Sequence, residues 1–149
     1  MVIGRIDSGV SQLLLILHIV AVIAAFAPTV AHPMLRNRLR GDPAGGQGLA
    51  AAMGAANRTF YLPALMVVGV LGFGLVAVSG GAYAFSDPWV GAAILLWLII
   101  AAVVGAVILP AERLLAGGDA SAERTVRAGG GAVNLLLLVV LFLMVVKPG

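Results

Sequence analysis

Four stretches of this chain carry no formal charge: residues 8–35, 59–86, 88–111 and 128–146, which hold 28, 28, 24 and 19 residues. A helix crossing about 30 Å of hydrocarbon needs roughly 20 residues, so each stretch is long enough to span a bilayer. Lipid offers no hydrogen-bond partner, so each run must satisfy its own backbone. That requirement selects helices, because a barrel would need shorter runs of alternating polarity. Composition agrees: 62% of the 149 residues are apolar and 10% charged, where a soluble domain carries about 25% charged residues. With no cysteine, no three-residue glycine period and little charge, disulfide scaffolds, thiolate zinc sites, collagen and disorder are set aside. The reading is an all-α, integral membrane four-helix bundle. It forms one transmembrane domain over 1–149, with spans of about 9–31, 58–79, 88–110 and 129–147.

The first window has Arg5 before it and small residues such as Ala25 and Ala27 within it, which resembles a secretory signal. Its apolar stretch is longer than the roughly 7 to 15 residues of a signal core, so it is expected to remain as a span. Orientation follows from the basic residues. Arg36, Arg38, Arg40 and Arg58 lie between spans one and two, and Arg113, Arg124 and Arg127 between spans three and four. Only Arg5 and Lys147 are basic at the opposite side. The arginine-bearing loops, 32–57 and 111–128, are therefore expected in the cytoplasm, with both termini outside an inner or plasma membrane. Arg36, Arg38 and Arg40 are expected to meet anionic lipid headgroups, and no nucleic-acid module accompanies them.

Local signals place the ends of the spans. Pro33 is expected to stop the first helix and Pro28 to loosen its inner end. Residues 41–57, with Asp42-Pro43 and Gly45-Gly46, read as a loop that turns helical near Leu49. Asp87 and Pro88 are an N-cap and first helical residue, so a short outer loop joins helices two and three as an antiparallel hairpin. Tyr83, Phe85 and Trp89 form the outer aromatic belt, and Phe60 and Tyr61 the inner one. Residues 112–127 read as a polar inner loop, with the fourth helix starting near Gly130.

Apolar side chains gain little by leaving lipid for one another, so association requires close backbone approach through small residues. Helix two supplies Gly69, Gly72 and Gly74, and helix three Ala101 and Gly105. These faces serve packing within the bundle or contact with a partner chain.

Each polar residue within the spans can be weighed singly. His18 lies ten residues past Ser8, about 15 Å deep and near the midplane, level with Gly69 and Gly72. An ionisable group at that depth marks a functional site by default. The simplest reading is a neutral imidazole hydrogen-bonded across the bundle; the alternatives are a haem or copper ligand and a proton relay. His32 is about 21 Å further along the axis, so the two histidines cannot share one ion. A second haem ligand would be a methionine, with Met66 nearest by depth, or His18 of another copy. His32 is expected at the cytoplasmic interface as a headgroup contact or cap. Asn134 is expected to make an interhelical hydrogen bond, and Trp97 to pack. No nucleophile, base and orienting acid can be assembled, so no enzymatic activity is expected.

Leu17-His18, the stretch 65–79 with Gly69 and Gly72, and the stretch 89–113 ending Leu109-Pro110-Ala111-Glu112-Arg113 cover roughly half the chain. In these the sequence resembles a family of small integral membrane proteins of unknown function that is itself similar to the membrane part of copper-resistance D proteins. The resemblance implies a four-helix inner-membrane protein and favours His18 as a ligand, while copper handling fits poorly with one midplane histidine and no cysteine. The leading functional expectation is a non-catalytic accessory or scaffold subunit, self-associating or part of a larger membrane complex, with no resident cofactor. A haem- or copper-binding protein using His18 and a small transporter are the alternatives.

Overall fold

The computed structural model describes residues 9–39 and 41–148, and these are helical apart from short turns. Four helices are long and apolar enough to cross a membrane: α1 (Gly9–Arg38), α2 (Pro43–Ala77), α3 (Pro88–Ala116) and α4 (Ala122–Val146). Polarity is inverted relative to a soluble bundle. Large apolar side chains such as Ile16, Ile23, Leu95, Leu135 and Phe142 point outward, while Ser11, His18, Asn57 and Glu112 are buried. Exposed apolar faces on every long helix require a lipid solvent. The chain is a multi-pass membrane protein.

At the arginine-rich end the helices run well past the charge-free windows. The stretch read as a loop over 41–57 is helical from Pro43, because Asp42 caps it and accepts the Gly45 N–H at 3.0 Å, with Pro43 at the first position. The stretch read as a polar loop over 112–127 is mostly helix as well: α3 continues to Ala116 and α4 begins at Ala122. Gly118 turns the chain between them at φ +95°. Asp119 accepts the Ser121 hydroxyl at 2.6 Å and its amide at 3.0 Å, which holds the Asp119 carboxyl below the usual carboxylate range. Arg5, Asp7, Ser8 and Arg40 lie outside the described residues. At the other end, Gly80 and Gly81 take φ +60° and +89° to close the turn after α2. Asp87 stands at the N-cap of α3, but its carboxylate accepts the Ala84 N–H at 2.9 Å rather than a helix amide.

Two widened, π-helical turns interrupt the long helices, at Asn57–Tyr61 in α2 and Val103–Ile108 in α3. Each ends at a leucine whose N–H reaches five residues back, Leu62 to Asn57 and Leu109 to Val104, and each leucine precedes a proline. The same Leu-Pro-Ala triplet thus follows both widenings. Proline lacks a donor and crowds the carbonyl four residues earlier, and a widened turn relieves that crowding. The extra residue also resets the helix face. Twelve residues at about 100° each would set Glu112 about 120° from Ile100, and one inserted residue takes back about 100°. Both are accordingly buried on the core side.

Packing follows the small residues. α1 lies along the second half of α2, the first half of α2 meets the end of α3, and α3 runs beside α4. Leu65, Ile100, Ile108, Val126, Val133 and Leu137 form the buried centre. Gly129 admits Ile108, whose Cγ1 would lie 2.8 Å from any Cβ placed there.

Candidate functional site

The arginine-rich half of the bundle holds a polar cluster built from three helices. Glu112 of α3 is 0% exposed. Asn57, the first residue of the widened turn in α2, donates its Nδ2 to both Glu112 oxygens at 2.8 and 3.0 Å. Gly54, one turn earlier, faces Glu112, and a Cβ there would stand in ordinary contact at 3.6 Å from Oε2. On α1, His32 sets Nδ1 3.9 Å from Glu112 Oε1. Arg36, one turn further, is close enough to act electrostatically on both Glu112 and His32.

Beside this cluster lies a cavity of about 400 Å³. Thr29, His32 and Arg36 line it from α1, at the three-then-four spacing that stacks side chains on one helix face. Asn57 and Tyr61 reach it from α2, and Asn134 from α4. Asn134 Nδ2 donates to the Thr29 carbonyl at 3.4 Å. That carbonyl would pair with the amide of residue 33 in a regular helix, and Pro33 has none. The Thr29 hydroxyl is committed to the Phe26 carbonyl at 2.7 Å. At the rim Arg127 pairs with Glu123 at 3.1 Å.

A second, smaller cavity of about 220 Å³ lies on the other side of the core. Ala25, Leu65, Ile100 and Leu137 line both, so an apolar floor separates two end-to-end spaces. His18 lines the smaller one and is 6% exposed. Its ring lies against Gly72, where a Cβ would be 3.4 Å from Cε1, and within reach of the Val68 carbonyl. Trp97 lines the same space and donates its indole N–H to the Leu65 carbonyl at 2.8 Å. Lys147 closes its far end by donating to the Tyr83 hydroxyl at 2.7 Å, with Trp89 edge-on to Tyr83.

The methionine that shares this space with His18 is Met144 of α4, whereas Met66 packs against the core. No group of three or more histidine, cysteine or acidic residues suited to a metal occurs among the described residues. The space is also below the roughly 300 Å³ at which small-molecule sites begin.

Of the residues chosen for packing, Gly69 is pressed against the Trp97 indole, with Cη2 2.8 Å from a would-be Cβ, and Gly72 against His18. Gly74 meets only Leu14 Cδ1 at 3.8 Å, and Ala101 packs against the core. At Gly105 no described atom lies within 4 Å of a would-be Cβ. Sequence reading took His32 as a headgroup contact or cap and Arg36 as a headgroup contact, and did not single out Asn57 and Glu112. The recurrent Leu-Pro-Ala triplet was the available signal for the widened turns that bring them inward. Compared with known proteins, the chain matches no family model, no curated protein and no solved structure.

Proposed function

We propose that this chain is a non-enzymatic multi-pass protein of the cell's inner or plasma membrane that holds a small ligand in the chamber beside Glu112. The four helices run antiparallel, the arginine-rich turns face the cytoplasm, and the chamber opens toward that side. One observation carries the reading: a fully buried carboxylate, braced by Asn57, stands next to a 400 Å³ cavity lined by an arginine and a histidine. Burying such groups within the membrane costs several kcal/mol. A scaffold that only packs against partners needs apolar and small faces, and gains nothing from that cost. A cavity of this size with convergent polar groups is the default binding site.

Gly130 lines the chamber and a Cβ there would meet no atom within 4 Å, so Gly130→Phe is the variant chosen to crowd the chamber. A ligand raises the unfolding temperature of the state it binds. In nanodiscs, a panel of small solutes should include at least one that stabilises the wild type and leaves Gly130→Phe unmoved. If no solute acts in a chamber-dependent way, the accessory-subunit reading takes its place. The proposal needs no haem or copper at His18, which an oxidised and reduced absorption spectrum with metal analysis tests.

A second reading, a small transporter, is favoured by the apolar floor shared by the two cavities. Hydrophobic constrictions of this kind gate by excluding water. Leu65→Ala in liposomes should then raise solute flux over wild type.

A further inference from the structure

We propose that the chamber's ligand is an amphiphilic oxyanion, with a carboxylate or phosphate head received by Arg36 and His32 and an apolar body resting on the Leu65, Ile100 and Leu137 floor. This rests on the chamber being a binding site and names what it binds.

Two donors in the chamber stand without an acceptor. Arg36 Nη1 and His32 Nε2 are both buried, and neither has a hydrogen-bond partner among the described residues. Both side chains line the same cavity, one helical turn apart on one face of α1. The acidic groups nearby are already engaged. Glu112 directs both oxygens to the Asn57 amide and does not line the cavity, and Glu123 is paired with Arg127 at the rim. A buried donor left unsatisfied costs about 1–3 kcal/mol, and more when charged, so the missing acceptor is the ligand's to supply. A guanidinium matches a carboxylate or phosphate in geometry as well as in charge. His32 serves the same end: a neutral imidazole carrying its proton on Nε2 donates into the chamber, with Nδ1 3.9 Å from Glu112 Oε1. A cation is disfavoured because no uncommitted carboxylate faces the space. Opposite this head site the wall is apolar, formed by Leu65, Ile100, Val104 and Leu137. A fully polar anion would leave that half of the chamber unmatched, whereas a short hydrocarbon body fits it.

The full-length protein in phosphatidylcholine nanodiscs tests the proposal with hexanoate, hexyl phosphate, hexanol and inorganic phosphate as probes. Hexanoate or hexyl phosphate should raise the unfolding temperature at concentrations where hexanol and inorganic phosphate do not. Arg36→Gln should weaken that binding at least tenfold, Arg36→Lys less, and the exposed Arg38→Gln not at all. Adding phosphatidylglycerol to the disc separates two sources of the same chemistry: loss of the hexyl phosphate effect assigns the chamber to a lipid headgroup, and its persistence to a free organic anion. Hexanol acting as well as hexanoate, with Arg36→Gln unaffected, would overturn the anionic class while leaving the chamber as a binding site. No probe acting differently on wild type and Gly130→Phe would overturn both readings together.

Discussion

Asn57 holds both carboxylate oxygens of Glu112 with one amide nitrogen, at 2.8 and 3.0 Å, across the contact between α2 and α3. Asn57 opens the widened turn of α2, and Glu112 lies one turn past the widened stretch of α3. Asn57→Leu strips a fully buried carboxylate of its donor, so it should destabilise the protein by about 1–3 kcal/mol in mixed-micelle unfolding. Glu112→Leu alone should also cost stability, because it leaves the Asn57 amide buried without an acceptor. The double variant should cost much less than the sum of the two, since removing both polar partners removes the desolvation penalty. Additive losses would mean that the two side chains do not depend on each other.

Gly69 and Gly105 look equivalent as small residues in apolar helices, yet their surroundings differ. Gly69 has the Trp97 ring lying directly on it, whereas Gly105 faces no described atom within 4 Å. Gly69→Ala should displace the indole, break its 2.8 Å bond to the Leu65 carbonyl and cost about 1–3 kcal/mol. Gly105→Ala should be neutral in a monomer. Detergent-solubilised unfolding of the two variants reads the contrast directly. A large loss at Gly105 accompanied by a change in oligomeric mass would instead identify that face as a subunit contact.

The four rods were legible in the sequence because charge exclusion from lipid is a strong, local constraint. His18 against Gly72, and Asn134 as an interhelical donor, followed from depth along a regular helix. Glu112 was not legible for two reasons. Its charge and its neighbours Arg113 and Asp119 mark the end of an apolar window, which reads as a loop. Even with the helix extended, regular periodicity turns it about 120° from Ile100. Only the inserted residue within Val103–Ile108 restores it to the core face. The same shift carries Asn57 onto the face of Leu65. Hydropathy also says nothing about cavities, which depend on where side chains fail to meet, so the chamber and its floor emerge only from packing.

The orientation proposed here has a direct check, because the chain has no native cysteine. Ala120, in the turn between α3 and α4, and Ala82, in the turn between α2 and α3, are both exposed. Ala82→Cys should react with a membrane-impermeant maleimide in intact cells, and Ala120→Cys only after lysis. The reverse pattern would turn the protein over in the membrane. The chamber would then open outward and draw its ligand from the exterior.

The bond from Asn134 to the Thr29 carbonyl carries a sharper test of how α1 and α4 are coupled. Its length, 3.4 Å, marks it as weak, and such bonds between membrane helices average about 0.6 kcal/mol. Its reason for existing is Pro33, which lies inside α1 and leaves the Thr29 carbonyl without an intrahelical donor. Pro33→Ala supplies that donor, so the carbonyl no longer depends on α4. Asn134→Ala should therefore cost about 0.6 kcal/mol in the wild type and close to nothing in the Pro33→Ala background. Pro33→Ala itself should be neutral or stabilising, because it replaces a long interhelical bond with a regular one. Measured as a double-variant cycle by unfolding in mixed micelles, a coupling near zero would show that Asn134 does not compensate for the proline. It would then be a chamber-lining group whose amide is available to the ligand.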